Sequence, residues 1–320
     1  MTDTINSPDF PANNDPFGPF IEQLKPQNSL YCFSTLAAPW GLALPAMPGR
    51  LMLHVVMSGN CLITTETSQL ALSAGALVLI PHGKGHSLKS AAHVRDVPFF
   101  DSGVKQLSPN LEVLDIPGSG ETTKLICSVV SFDPLIGHYL LDQLPEVICL
   151  TADDYQDQAW LTSTLELIKR EATDLAAGSE TIITRLAEIM LIQLLRYWLT
   201  NDPLANEGWF AAMRDSRIGA ALKAIHQQPE EKWTVESLAA IACMSRSAFA
   251  ARFTELVGTS AKNYLTEWRL TLAYYQLKNV KVPLIELALN CGYESEAAFS
   301  RAFKRVIGMS PSQVERSTAW

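Results

Sequence analysis

The carboxy-terminal third of the chain carries a helical spacing of apolar residues that occurs twice. Phe249, Phe253 and Leu256 stand at positions i, i+4 and i+7, so they share one buried face of a helix. Phe299 and Phe303 repeat this pattern fifty residues later, and in both copies a serine precedes and a glycine follows the apolar face. The chain therefore contains an internal repeat of short helical units.

Each copy is predicted to form a helix-turn-helix. In the first copy, Thr234 can cap one short helix and Ser245 can cap a second. The second copy opens with Pro283 at an expected first helical position. These signals place the two motifs at about residues 235–256 and 283–306. The second helix of such a motif can enter the major groove of DNA.

A single helix is predicted to join the two copies, because Tyr264, Leu265, Trp268 and Leu272 stand at helical spacing within residues 261–279. At 1.5 Å per residue, these 19 residues span about 28 Å. That length is compatible with a separation of about 34 Å, one turn of DNA, between two recognition helices. One chain is therefore expected to read two successive major grooves.

The first half of the chain has a different pattern. Residues 1–20 are rich in proline and lack periodicity, which predicts a flexible arm. Residues 21–152 contain short β-rich segments separated by turn residues such as Ser58, Gly59 and Asn60. Short strands at this spacing predict a small antiparallel β-barrel or sandwich.

Two amphipathic helices are predicted within residues 153–208. The first begins near Trp160, Gly178 interrupts the chain, and Ser179 is expected to cap the second helix. The second helix carries more apolar surface than one partner helix would cover, which favours a homodimer. A monomer whose barrel covers both helices is the alternative. The apolar positions are Leu161, Leu165 and Ile168 in the first helix and Ile183, Leu186, Met190 and Leu194 in the second.

Two resemblances to known proteins follow from these segments. Three strings of this sequence resemble the DNA-binding domain of the AraC/XylS family of transcriptional regulators. They are WTVESLAAIACMSRSAFAARF, YLTEWRLTLAYYQL and ELALNCGYESEAAFSRAFKRVIGMSP. In the first half of the chain, LHVVMSGNCLI followed by LSAGALVLIPHGKGHSL resembles the cupin-type sensor domain of one branch of that family. The resemblance implies an α+β chain of two domains. The first is an antiparallel cupin-like barrel with a helical hairpin, and the second is an all-α double helix-turn-helix at 209–320.

Carried over residue by residue, the resemblance also implies the DNA contacts. Arg301 is expected to pair with guanine and Glu296 to accept a hydrogen bond from a cytosine amine. Ala250 and Ala251 stand where relatives often carry a long polar side chain, so readout by the first copy is expected to be weaker. The predicted base contacts are Ser247, Ala250, Ala251, Glu296, Ala297, Ser300 and Arg301, and the predicted phosphate contacts are Arg246, Arg252, Lys304 and Arg305.

The charge is divided between the two halves. The chain has a net charge of -8, but residues 217–320 hold 13 basic and 9 acidic residues and the rest hold 12 and 24. The basic charge thus coincides with the helix-turn-helix pair. An acidic remainder discourages indiscriminate DNA binding and argues against a purely architectural DNA binder.

The histidines and cysteines of the first half are the candidate sensor groups. His54, His82, His86 and His93 could converge, but no HxH pair occurs, so ordinary hydrogen bonding is favoured over a metal site and no cofactor is expected. Cys127 is most simply a small core residue, and a thiol switch is the other interpretation. The sensor or effector-pocket candidates are His54, His86 and Cys127, with Cys32, Cys61 and Cys149 in the same half.

We therefore expect a DNA-binding transcriptional regulator, more specifically an activator. Its expected partners are promoter DNA, RNA polymerase, a small-molecule or oxidant effector, and a second copy of the chain. The sequence shows no nucleophile elbow or phosphate loop, so an enzyme is not expected. No membrane span is predicted and the cytoplasm is the expected location. The alternatives are a cupin-fold metal-dependent enzyme or a thiol-based redox sensor with a DNA-binding appendage.

Overall fold

The computed structural model describes residues 27–131, 141, 143–155, 159–174 and 176–317, and it divides into two compact units, Lys25–Trp198 and Leu199–Trp320. The predicted arm at 1–20 and the side chain of Trp160 lie outside the described residues. The first unit combines β-strands with two long helices, and the second unit is helical.

The strands of the first unit form two sheets. Their order is β12-β6-β3-β11-β1-β10-β9 in the larger sheet and β5-β4-β7-β2-β8 in the smaller. The strands are β1 Gln27–Ala37, β2 Gly41–Leu44, β3 Arg50–Ser58, β4 Asn60–Thr64, β5 Gln69–Ser73, β6 Leu77–Ile80, β7 His86–Lys89, β8 Val97–Pro98, β9 Lys105–Ser108, β10 Leu111–Ile116, β11 Thr122–Ser131 and β12 Ile148–Leu150.

The sheet-rich fold is confirmed, but its predicted all-antiparallel pairing is wrong. β1 runs parallel to β10, and β2 runs parallel to β8. Both pairs join strands that are far apart in the sequence, and the turn signals that predict hairpins carry no information about such pairs. Among the described strands, neither sheet pairs its first strand with its last.

The core of the first unit lies between the two sheets. One cluster of buried side chains takes Met52 and Val78 from the larger sheet and Leu42 and Ile63 from the smaller. These strands are apolar because both sheets turn one face inward. The core is therefore the interior of a two-layer structure.

Two helices cover the outer face of the larger sheet. Helix α1 spans Ala159–Asp174 and α2 spans Ser179–Asn201. Ile183 of α2 packs with Tyr31 and Leu111 of the sheet. Ser179 does not cap α2 as predicted, because it is the first helical residue and its hydroxyl donates to the carboxylate of Glu171 at 2.6 Å.

The helices of the second unit are α3 Gly208–Arg214, α4 Ile218–Gln227, α5 Val235–Ile241, α6 Arg246–Val257, α7 Ala261–Asn279, α8 Leu284–Asn290, α9 Glu296–Ile307 and α10 Pro311–Ser317. Helices α5 and α6 form the first predicted motif, and α8 and α9 form the second. Helices α3, α4 and α10 lie outside the two motifs. The single joining helix is confirmed, and Tyr264 and Trp268 are fully buried on it. Thr234 forms a capping box with Ser237, as a threonine N-cap should. The sequence predicts Pro283 as the first helical residue, but it stands at the N-cap of α8, one position before the first helical residue Leu284.

Candidate nucleic-acid interface and sensor core

The two recognition helices have one buried and one exposed side. In α6, Phe249 and Phe253 are fully buried, and in α9 Phe299 and Phe303 are fully buried. Each helix begins at a serine whose hydroxyl oxygen accepts an N–H and ends at a glycine with positive φ, where a β-carbon would be strained. The phenylalanines therefore fix the rotation of each helix about its axis, and the other side faces outward.

The predicted base contacts lie on these outward sides. In the first copy, Ser247, Ala250 and Ala251 are exposed. In the second copy, Glu296, Ala297 and Arg301 are exposed and Ser300 is half-buried. Exposure is what a base-reading residue requires, and the individual contacts stay predictions.

The predicted phosphate contacts differ between the two copies. Arg246 pairs with Glu236 at 2.9 Å, and Arg252 pairs with Asp215 at 3.3 Å and with Glu255 at 3.1 Å. Lys304 and Arg305 are exposed, and among the described side chains no carboxylate lies within 4.0 Å of either. As far as the described side chains show, the cations of the second copy are not paired with a carboxylate, whereas the arginines of the first copy would have to exchange a carboxylate for a phosphate.

Arg269 connects the joining helix to both copies, and the sequence reasoning missed it. Its guanidinium donates to the carbonyl oxygens of Pro229 and Glu231, ahead of the first motif, and of Cys291, in the turn of the second. Burial lowers the pKa of this guanidinium below its ordinary value. A cavity of about 220 Å³ lies beside it. One polar residue on a long helix gives no pattern that would reveal this role.

The sensor candidates of the first unit meet in its core. Strand pairing places His54 of β3 opposite Cys127 of β11, and Cys127 opposite Cys32 of β1. Directly paired residues point to the same face of a sheet. His86 reaches the same place from β7 of the smaller sheet. The structure thus brings together all three residues predicted from sequence, and it adds Cys32.

Burial keeps these groups neutral. Burial, and secondarily the charge of His86, hold the pKa of His54 well below its ordinary value, and burial also lowers the pKa of His86. Burial raises the pKa of the Cys127 thiol well above its ordinary value, with smaller contributions from Cys32 and Cys61. It raises the pKa of Cys32 to about 11. At neutral pH the cluster therefore consists of imidazoles and protonated thiols.

The hydrogen bonds then assign the proton positions. His86 Nδ1 lies 3.2 Å from the carbonyl oxygen of Lys84, which can only accept, so Nδ1 is the donor. His86 Nε2 is therefore an acceptor, and His54 Nε2, at 2.7 Å, donates to it. That leaves a lone pair on His54 Nδ1, which accepts the S–H of Cys127 at 3.0 Å. A base is thus directed at the Cys127 thiol.

The other two histidines of the sequence analysis lie elsewhere. His82 Nε2 lies 2.9 Å from the carbonyl oxygen of Leu144, and His93 is exposed. Within the residues that the structure describes, no group of three or more His, Cys, Asp or Glu side chains could hold a metal ion. The four histidines therefore do not converge.

Comparison with known proteins decides the family. Residues 15–200 match a family model described as Cupin, and residues 238–317 match one described as Helix-turn-helix domain. A Streptomyces lividans protein described as an AraC-like transcription regulator is 32% identical over 94% of this chain and 98% of its own length. The chain belongs to the AraC/XylS family. It is a DNA-binding transcriptional regulator with a cupin domain ahead of a helical DNA-binding domain.

A further relative of this AraC/XylS regulator agrees with that placement. The HTH-type transcriptional regulator AlkR of Acinetobacter baylyi is 30% identical, and the match covers 95% of this chain and 100% of AlkR. A crystal structure of the DNA-binding domain of AdpA in complex with a target DNA is 31% identical, with a TM-score of 0.29, and covers 31% of this chain and 88% of that one. No helix in the described part of the chain is long and apolar enough to cross a membrane.

Proposed function

We propose that this regulator activates transcription from a promoter when its cupin domain receives a chemical signal. The observation that carries the proposal is the group formed by His54, His86, Cys127 and Cys32, which are buried in the apolar core between the two sheets. Buried polar groups cost free energy unless they are hydrogen-bonded, and reactive ones concentrate at functional sites. We further propose that the two sheets act together as a cupin-like barrel around this group.

The promoter would be read by both motifs of the DNA-binding domain. The exposed side chains of α9 and the exposed cations Lys304 and Arg305 support sequence-specific DNA reading by the second copy. The small exposed residues of α6 support a weaker contribution from the first copy, since alanine can contact a thymine methyl group but cannot donate a hydrogen bond. We propose domain limits of 21–152 for the sensor, 153–208 for the hairpin and linker, and 209–320 for DNA binding.

A homodimer is proposed on the outward side of α2. Ile182 and Ile189 stand seven residues apart on this helix and are 39% and 45% exposed. Leu167 of α1 is also exposed, at 41%. Two large aliphatic side chains on one face of a helix are typical of a contact between copies.

The remaining partners follow from the family. We propose that the DNA-bound regulator contacts RNA polymerase, that it acts in the cytoplasm where its DNA is, and that it is not an enzyme, since its relatives are named transcriptional regulators. A cupin-fold enzyme with a DNA-binding appendage is the competing function, and turnover of a substrate by the purified protein would favour it.

The test is selection of duplexes from a random library by the full chain, followed by protection mapping. We expect two protected segments on one side of the duplex with centres about 10 base pairs apart. Repeating the mapping on the selected duplex with oxidants and with pooled metabolites should change its occupancy. A single protected segment would contradict reading by two motifs, and unchanged occupancy under every addition would contradict sensing.

A further inference from the structure

The inner face of the larger sheet carries a row of six residues, five of them ionisable, that strand pairing aligns across six strands. Successive partners in this row, taken from β12 to β10, are Cys149, Val78, His54, Cys127, Cys32 and Glu112. Within the row only Cys127 and Cys32 are two thiols on neighbouring strands. We propose that Cys32 and Cys127 form a reversible disulfide that switches the regulator, an inference that rests on the function proposed above.

The pairing geometry fits a disulfide. Cys32 and Cys127 are direct partners in the antiparallel β1 and β11 pair, and both side chains belong to the same core cluster. Direct antiparallel partners have Cα atoms about 4.5 to 5.5 Å apart. Disulfides join Cα atoms about 4.4 to 6.8 Å apart, so the bond requires side-chain rotation and no large movement of either strand.

The two thiols have different neighbours, which sets the order of their reactions. Cys127 faces the lone pair of His54 Nδ1 at 3.0 Å, whereas the sulfur of Cys32 lies 3.6 Å from the hydroxyl of Ser34. His54 can therefore accept the proton of Cys127 while the sulfur attacks the oxidant, and His86 supports this charge by accepting the Nε2–H of His54 at 2.7 Å. Cys127 is thus the thiol that is oxidised first, and Cys32 is the thiol that resolves it.

The chemistry balances with a peroxide as the oxidant. Cys127 sulfur attacks one peroxide oxygen, so an S–O bond forms and the O–O bond breaks. The departing hydroxide takes the proton held by His54 and leaves as water. Cys32 sulfur then attacks the sulfenic sulfur of Cys127, the S–S bond forms, the S–O bond breaks, and the second water leaves with the Cys32 proton. Two thiols and one peroxide give one disulfide and two waters.

Burial decides which oxidants can act. Cys32 and Cys127 are 4% and 9% exposed, and both are protonated at neutral pH because burial raises their pKa. A buried protonated thiol is slow to react, so His54 must supply the activation. We therefore expect small uncharged two-electron oxidants such as hydrogen peroxide to reach the pair, and bulky anionic disulfide reagents to be excluded.

The test uses the reduced full chain treated with hydrogen peroxide, then unfolded and alkylated. All six cysteines are free thiols, so the reduced protein should take up six labels and the oxidised protein four. Peptide mapping should join Cys32 to Cys127. Cys127→Ser and Cys32→Ser should each abolish this product, and Cys32→Ser should leave a sulfenic acid on Cys127 that dimedone traps.

Two further variants test whether oxidation depends on this pair of cysteines and on His54, and not merely on how accessible a thiol is. Cys61→Ser is the matched control, because Cys61 is buried in the same core but pairs with Leu72 on the smaller sheet, and it should oxidise like the parent. His54→Gln should slow oxidation at least about tenfold while the final product stays the same. A disulfide from Cys127 to Cys61, or a rate that is unaffected in His54→Gln, would overturn the proposal. Melting curves of each variant identify any that fail to fold, and those are replaced by the corresponding alanine.

The same samples report the output. Affinity for the duplex selected by the reduced chain should change at least about threefold on oxidation and return after treatment with dithiothreitol. A disulfide with no change in affinity overturns the switch, as does the absence of any disulfide. In both cases two protected segments on the duplex would leave the proposed function intact. A chain that forms the disulfide but protects no duplex would refute the proposed function and the switch that rests on it, and only the disulfide itself would remain.

Discussion

Arg269 of helix α7 donates a hydrogen bond from Nη1 to the carbonyl oxygen of Cys291, at 3.4 Å, in the turn between α8 and α9. Its other guanidinium nitrogens bond the carbonyls of Pro229 and Glu231 in the segment that leads to α5. One side chain on the joining helix therefore contacts the approach to the first motif and the turn of the second. The planar guanidinium directs its donors from three separate nitrogens toward these three carbonyls, whereas the donors of lysine all sit on one nitrogen.

We expect Arg269→Gln to lower the free energy of unfolding of the DNA-binding unit by about 2 kcal/mol, because hydrogen bonds from a charged donor are lost. DNA affinity should fall as well, since the two motifs lose a shared contact. Thermal unfolding and duplex titration of the full chain measure both. Arg217→Gln, at an exposed position ahead of α4, is the control and should leave both unchanged. Equal melting curves for the two variants would remove Arg269 from this role.

The second prediction separates base contacts from phosphate contacts on α9. Arg301→Ala should relax the preference at one base position and cost roughly 1 to 3 kcal/mol on the selected duplex. Lys304→Ala should weaken binding to all sequences alike and reduce the salt dependence of binding by about one phosphate contact. Titrations against the selected duplex and against random DNA, at two salt concentrations, measure these effects. Equal losses on both DNAs for Arg301→Ala would show that it does not read a base.

The third prediction concerns pH. Burial lowers the pKa of His54 and of His86 in the folded protein, whereas in the unfolded chain each histidine titrates near 6.5. Below that pH the unfolded state binds more protons than the folded state, so stability falls as the pH drops from about 7 to 5. Each histidine that stays neutral contributes a slope of about 1.4 kcal/mol per pH unit.

His54→Gln should flatten this slope, because one of the two buried titrating groups is gone. His93→Gln is the control, since His93 is exposed and should leave the slope unchanged. Denaturant unfolding followed by a probe of the first unit, at several pH values between 5 and 8, gives the slopes. A parent protein whose stability does not change between pH 7 and pH 5 would contradict neutral burial of this pair.

Local patterns in the sequence were enough to predict the two motifs of the DNA-binding unit and the helix that joins them. The spacing of Phe249 and Phe253 and the capping residues Thr234 and Ser245 act over a few positions, so helix limits and buried faces could be predicted from them. The failures there are also local, such as the one-position shift at Pro283. Arg269 was missed because its partners lie 22 to 40 residues away and are backbone atoms.

The contacts within the sensor core could not be predicted from local patterns. His54, His86 and Cys127 could be selected one at a time by residue type, but their contacts depend on the register of β3 and β11 and on the approach of β7 from the other sheet. A shift of one residue in that register would turn His54 to the opposite face. Cys32 gave no separate signal, because only strand pairing places it beside Cys127.

The last prediction tests the dimer. Ile189→Glu places a carboxylate at an exposed position of α2 that lies outside the core between the sheets, so the fold should tolerate it. A charge buried between two copies would not be tolerated, and the variant should be a monomer at concentrations where the parent is a dimer. Leu204→Glu is the matched control, because Leu204 is 53% exposed on a different segment and should leave the association state unchanged. Sedimentation velocity with melting curves distinguishes dissociation from unfolding. If Ile189→Glu sediments as a folded dimer, the contact between copies lies elsewhere, and if the parent itself is a monomer at every concentration, the exposed isoleucines of α2 need another explanation.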